Sequence, residues 1–156
     1  MRRKDREITN QKDMIQIIEN AQILRLALFD DDYPYIVPMH YGYTLDNSKI
    51  IFYMHSAKEG HKLDLISKNP NVCLEIENDM EIVSGGDVPC KYGATFSSII
   101  ARGKAEIVED VDEKIEGLKL LMVHQVNKDF EINEQMANMV CAIKVTVEQI
   151  TAKARK

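Results

Sequence analysis

The stretch spanning residues 33–70, YPYIVPMHYGYTLDNSKIIFYMHSAKEGHKLDLISKNP, reads as strand, turn, strand and a short helix. Residues 35–43 are rich in Val, Ile and Tyr, and Asp46, Asn47 and Ser48 supply turn chemistry. Residues 49–55 alternate, with Ile50, Phe52 and Met54 on one face and Ile51, Tyr53 and His55 on the other. Across 60–68, Leu63 and Ile66 recur at helical spacing with Leu65 beside them, a short apolar stripe. Pro70 cannot continue that helix and biases Asn69 away from helical angles.

The first turn of this helix carries chemistry. His61 and Lys62 fall where unpaired backbone N–H groups already make the surroundings positive. A cation there calls for an anion, and helix N-termini are natural phosphate sites. Glu59 is a local alternative source of negative charge, which would make Lys62 a plain surface residue.

VPMHYGY (37–43) followed by FYMHSAKEGHKLDLISKNPNV (52–72) resembles the core of the pyridoxamine-phosphate-oxidase-like FMN-binding split barrels. It is most similar to the branch containing the nitroimidazole-resistance flavoproteins. Further matches are REITN near the start, FSSIIARGKAEIVED past the middle and KVTVEQITAK near the end, so the resemblance spans nearly the whole chain. It implies a mainly β fold with flanking helices, an antiparallel split β-barrel over 1–156 as a single domain. It also implies a homodimer with FMN held in clefts between subunits.

Composition agrees with a compact enzyme-sized unit. A chain of 156 residues is long enough for one core. Its net charge of −5 argues against a nucleic-acid partner, which would want a basic face. No apolar run approaches a membrane span, and MRRK is not followed by a signal-peptide segment, so a cytoplasmic protein without membrane attachment is expected. Cys73, Cys90 and Cys141 are widely spaced, which fits a reducing compartment and no zinc site; Cys90 reads as a packed cysteine. His55 and His61 lack a third ligand in register, and Asp30, Asp31 and Asp32 read as a solvated turn, so no metal is expected.

Along the rest of the chain, residues 1–9 read as an arm. Asn10 suits an N-cap, with Met14, Ile17, Ile18 and Ala21 on one buried face. Leu24, Leu26 and Leu28 alternate as a strand, as do Val72, Leu74 and Ile76. Residues 79–92 look least regular, a candidate lid or inter-subunit loop. Residues 96–108 form a long strand with Gly103 as a bulge. Asp112 suits the cap of a helix whose face carries Ile115, Leu118, Leu121, Met122 and Gln125. A closing strand alternates Cys141, Ile143, Val145 and Val147 with polar positions.

The resemblance assigns roles residue by residue. Val37, Pro38, Met39, His40 and Tyr41 would line the flavin ring through backbone groups. Lys62 and the helix end would hold the phosphate, with His61 beside it. Ser56 and Ala57 would also belong to the cofactor site, and Ser97 and Ser98 would approach the FMN held mainly by the other subunit. His55 would sit beside the ring as a proton donor; on residue chemistry alone it is a polar cap at a strand end. His124 reads as a dipole partner or surface group. Two departures stand out. Relatives often carry arginine where this chain has His61. The chain also lacks tryptophan and ends at Lys156 soon after its last strand, against vitamin B6 oxidation. The function implied is reduction of a small electrophile such as a nitroimidazole or other nitroaromatic. The alternative is a flavin- or haem-binding carrier or sensor.

Overall fold

The computed structural model describes residues 3–155; Met1, Arg2 and Lys156, the ends of the expected arm and tail, lie outside the described residues. In chain order the elements are β1 (Glu7–Ile8), α1 (Gln11–Asn20), β2 (Ile23–Asp30), β3 (Tyr33–His40), β4 (Gly42–Asp46) and β5 (Lys49–Ser56). Then come α2 (His61–Lys68), β6 (Asn71–Val83), β7 (Gly93–Ile107), α3 (Val111–Val126), α4 (Glu134–Ala137) and β8 (Cys141–Arg155). The hydrogen-bonded order is β3-β2-β6-β7-β8-β5-β4, with β1 added beside β8. Every pair is antiparallel.

The two ends of that order, β3 and β4, are one run of chain broken only at Tyr41. The sheet therefore curls into a barrel that is split where β3 parts from β5. This is the mainly β, antiparallel split barrel that the sequence implied. The run 35–43 does not stay one strand, because Tyr41 turns its side chain wholly into the interior. Gly42 follows with α3 lying directly on it: a Cβ there would sit 2.3 Å from the Leu120 carbonyl carbon. Only glycine allows that approach.

The core follows the alternation. Leu24, Leu26 and Leu28, Phe52 and Met54, Val72, Leu74 and Ile76, and Ile143 and Val145 fill the barrel. Burying each such side chain is worth about 1.5–3 kcal/mol against leaving it exposed. Asn10 caps α1, its Oδ1 accepting from the Lys12 N–H at 2.9 Å, and Ile17, Ile18 and Ala21 are buried. Asn47 and Ser48, both at positive φ, make the β4–β5 hairpin turn. Gly103 marks a bulge because a Cβ would meet the Thr146 carbonyl oxygen at 2.1 Å.

Several expectations are corrected. Asp110, not Asp112, caps α3; its Oδ1 accepts from the Glu113 N–H at 2.8 Å. On the expected face Leu121 is buried and Ile115, Leu118, Met122 and Gln125 are half-buried; the member not expected is the buried Gly117. Gly117 lies flush on the Tyr53 ring, so absence of a side chain, invisible to a hydrophobic pattern, decides the contact. Of residues 79–92, only 79–83 join the ladder: β6 continues to Val83 and pairs with the start of β7 beyond a bulge between Asn78 and Glu81, while 84–92 stay irregular apart from a 3-10 turn at Pro89–Lys91. Asp79 takes a positive φ there, and Thr95 Oγ1 accepts from the Glu81 N–H and donates to the Asp79 carbonyl. Met80 and Ile82 are exposed, so this end of the strand adds nothing to the core. Cys90 is exposed rather than packed. At the N-terminal side, Glu7 and Ile8 pair with Lys153 and Ala152 of β8.

Candidate functional site

The first turn of α2 is left open. Gly60 is its N-cap at φ 143°, a conformation that suits glycine, and no side chain accepts from the turn. Leu63 and Asp64 N–H groups reach the Gly60 carbonyl, so the N–H groups of His61 and Lys62 have no helical partner. Lys62 is half-buried and has no carboxylate within ion-pair distance among the described residues. Glu59 is not the local counter-charge. Asp30, from the end of β2, supplies it to His61, with Oδ2 2.6 Å from Nε2. The Tyr35 ring meets His61 edge-on at 5.1 Å. Sequence reading missed Asp30 because its partner lies far along the chain.

Ser56 and Ala57 lead from β5 into this turn. Ser56 is buried and its hydroxyl donates to the Ala57 carbonyl at 2.8 Å. Opposite it in the ladder is Cys141, whose thiol is pushed up by burial, with Lys114 and Lys62 pulling the other way. Lys62 is thus placed against the barrel end rather than out in solvent.

β5 sends its side chains to two faces, and His55 is on the outer one, exposed at the strand's end. Ile51 and Tyr53 precede it on that face and are covered by α3, in a second small core with Val108 and Ala142. The Tyr53 hydroxyl donates to Glu113 Oε1 at 3.0 Å, and Lys144 Nζ lies 2.6 Å from the same oxygen. Burial, then Glu113, pushes the Tyr53 phenol up to about 12. Just past this covered region α3 ends its contact, and His55 opens onto a pocket of about 350 Å³. Leu118, Leu121 and Met122 of α3 form one wall; Phe130, Ile132, Met136 and Val140 form the other. No periodic signal in 127–140 points to this wall, since its apolar residues are spread over loop and a short helix.

β3 lies at one end of the hydrogen-bonded order, so its edge toward β5 has no ladder partner. Val37, Met39 and Tyr41 turn inward, while Pro38 and His40 turn outward. Of these, Tyr41 is the one held in the interior by its own hydroxyl. Its hydroxyl lies 2.7 Å from the Ile18 carbonyl and 2.9 Å from that of Ala21, at the end of α1. Burial raises its phenol well above the usual range.

His124 is a correction: it is neither a surface group nor a simple dipole partner. It is half-buried, stacked 4.6 Å from the Tyr41 ring, with Nε2 2.8 Å from the Ala21 carbonyl. Burial lowers its pKa, opposed by that carbonyl and by Glu19. Gln125 beside it donates to the Gln22 and Tyr41 carbonyls and lies 2.8 Å from His40 Nδ1. His40, at the far end of β3, therefore belongs to this clasp.

Ser97 and Ser98 are half-buried neighbours in β7 with opposite facings. Ser97 borders a polar recess with Asp13, Asn20 and Asp79, under α1. Ser98 faces outward with Phe96, Ile100 and Lys153. Their side chains therefore emerge on opposite faces of β7. No helix among the described residues is long and apolar enough to cross a membrane.

Comparison with known proteins agrees with this geometry. The family model for pyridoxamine 5'-phosphate oxidase matches residues 10–154. Among solved structures, a candidate 5-nitroimidazole antibiotic resistance protein of Bacteroides thetaiotaomicron is 31% identical, with a TM-score of 0.81 over 95% of this chain and 86% of that one. The flavocytochrome Anf3 of Azotobacter vinelandii shares the fold at 14% identity, with a TM-score of 0.78 over 100% of this chain and 72% of that one. A FAD and haem binding protein of Mycobacterium smegmatis does so at 13%, with a TM-score of 0.81 over 97% and 74%. No curated protein matches. The extent of the family match, on this barrel, makes the chain a member of the pyridoxamine 5'-phosphate oxidase family.

Proposed function

We propose that the chain is an FMN-binding oxidoreductase that reduces a small electrophile, a nitroimidazole or other nitroaromatic, and works as a homodimer. The observation that carries this reading is the open first turn of α2 with Lys62, one short loop from a histidine that opens onto an apolar pocket. The resemblance to a candidate nitroimidazole-resistance protein supports the substrate, and the flavin-binding neighbours support the cofactor.

The residues present fit a phosphorylated planar cofactor. The N–H groups of His61 and Lys62 and the Lys62 ammonium would hold the phosphate, a charge-assisted grip at a helix N-terminus. Ser56 and Ala57 set the spacing between that grip and β5. The unpaired edge at the end of β3, over 37–41, would meet the ring's heteroatoms through the backbone groups of alternate residues, and Pro38 can contribute only its carbonyl. FMN, when bound, supplies the two-electron transfer. His55 would hold a proton on its imidazole and deliver it to the substrate oxygen as electrons arrive.

Dimerisation would use the outer sheet face, where Ile36 is 58% exposed, with Phe29, Met80 and Ile100 also open. From that face Ser98 could reach the cofactor of a second copy. Sedimentation of the native protein, and of an Ile36→Asp/Ile100→Asp variant, tests this: a dimer that the variant converts to monomer is expected.

The functional test begins with mass spectrometry of whatever native protein releases on denaturation. FMN is expected. The yellow protein should then bleach with NADH or NADPH and recover when a nitro compound is added. A protein that neither carries nor takes up FMN overturns the reading; one that binds FMN without bleaching or recovery is the carrier.

A further inference from the structure

We infer that the pocket between α3, residues 127–133 and α4 is a substrate compartment for an uncharged planar ring of one or two cycles, and that Glu131 at its lining turns anions away. The inference rests on the reading of His55 as the proton donor, but the pocket stands on its own geometry.

Size separates this compartment from the cofactor's place. At about 350 Å³ it sits at the low end for small-molecule sites and is too small for three fused rings with a phosphate-bearing chain. It accommodates a smaller molecule brought alongside. A larger depression of about 540 Å³ lies at the other end of β5, among Thr9, Lys49, Glu148 and Gln149. Those polar groups are spread along its rim, and none is a proton-exchanging imidazole.

The lining defines the ligand. Seven of the nine residues are apolar: Leu118, Leu121, Met122, Phe130, Ile132, Met136 and Val140. Phe130 offers an aromatic surface, and the thioethers of Met122 and Met136 favour ring contacts and adapt to irregular shapes. The polar members are His55 and Glu131. A neutral ring carrying one hydrogen-bonding substituent can bury its apolar area and direct that substituent at His55. A carboxylate would lose solvation against these walls and meet Glu131. Asp129 and Glu134 flank the same segment, and the one nearby cation on it, Lys128, lies 4.7 Å from the Phe130 ring centre.

The test reads binding without turnover. Methionine methyl groups are labelled with carbon-13 in the purified protein as isolated, and nitrobenzene and 4-nitrobenzoate are titrated as probes at about pH 8. Nitrobenzene should shift the Met122 and Met136 methyls saturably and leave Met14 and Met54 unmoved. The anionic probe should bind at least about tenfold more weakly. Glu131→Gln should close that gap by about two- to fivefold, the scale of one exposed charge. Leu118→Phe should abolish both shifts, with the core Met54 signal in place to show that the barrel is folded; Met136→Phe is a second filling variant at an exposed position. Met122 and Met136 that ignore nitrobenzene, or two probes of equal affinity, overturn the inference. An unchanged gap in Glu131→Gln removes that residue's role. If the pocket binds nitrobenzene as described while the flavin-loaded protein fails to reduce nitro compounds, the proposed function falls and the compartment remains.

Discussion

The last turn of α1 and the first turn of α2 each leave backbone groups without helical partners, yet only one end is closed by side chains. At the end of α1, the carbonyls of Ile18, Ala21 and Gln22 are met by the Tyr41 hydroxyl, His124 Nε2 and Gln125 Nε2. At the start of α2, glycine caps the helix, no side chain accepts, and Lys62 adds a positive charge. Closing buried polar groups is what a stable fold does wherever it can. Under the proposed function, the end left open beside a cation would be matched by a bound phosphate. The difference predicts two kinds of variant. Changes at the α1 clasp should alter stability and spare chemistry per folded molecule, and changes around α2 should do the reverse.

The largest effect is expected at His55. In the described residues its side chain makes no hydrogen bond, and it is exposed at a strand end, so His55→Ala should leave the melting temperature nearly unchanged. FMN content and reduction by the donor should also persist. Reoxidation by a nitro substrate should slow by about 10²–10⁴-fold if the imidazole is the general acid. Stopped-flow reoxidation of flavin-loaded protein measures this directly. An unchanged rate would assign the proton to solvent.

On the clasp side, Gly42→Ala should be the most damaging single methyl. The added Cβ would lie 2.3 Å from α3 backbone atoms, which cannot give way as a flexible side chain can. A loss of about 3 kcal/mol in denaturant unfolding is expected, the upper part of the usual overpacking range. Flavin affinity of the folded fraction should not change. If Gly42→Ala unfolds at the wild-type midpoint, α3 can shift freely and the clasp is not rigid.

These two sites also show what the sequence could reveal. Barrel strands were legible wherever one face is buried, because Leu24, Leu26 and Leu28 or Phe52 and Met54 alternate against outward neighbours. The open turn was legible too, since Gly60, Lys62 and Pro70 are local signals. The clasp was not: Tyr41 and His124 are far apart in sequence, and their meeting depends on the barrel's closure. The seat of α3 was hidden because it depends on Gly42 and Gly117, residues that matter by what they lack. The β6–β7 extension was hidden because its Met80–Ile82 alternation is short and cut off from that of Val72, Leu74 and Ile76 by the bulge between Asn78 and Glu81.

Lys62 and Lys68 sharpen the comparison within a single helix. Lys68, in the last turn of α2, already complements the helix dipole, whereas Lys62 is at the positive end. Lys62→Ala should weaken FMN binding by about 1.5–3 kcal/mol, the contribution of a charge-assisted contact, and Lys68→Ala should barely change it. Flavin titration of the two apoproteins decides. Equal affinities would move the phosphate site away from α2.

The smallest effect is a pH dependence at the clasp. Desolvation lowers the His124 pKa in the folded protein, while the Ala21 carbonyl and Glu19 partly offset it. The unfolded chain therefore binds a proton at a higher pH than the folded one does. Stability from this group is complete above the ordinary imidazole pKa of about 6.5, and it is lost as pH falls below that value toward the folded pKa. The loss should be modest, because the neutral ring already donates Nε2–H to Ala21 and protonation adds a charge only to a half-buried group. His124→Gln keeps a side-chain N–H donor and removes the titration. Unfolding free energies measured between about pH 7.5 and 5 should fall more for wild type than for the variant. Taking the difference cancels His40, His55 and His61, which both proteins share. Parallel pH profiles would mean that His124 closes the α1 end without any cost of protonation, and that the clasp is as indifferent to pH as its two other donors, Tyr41 and Gln125.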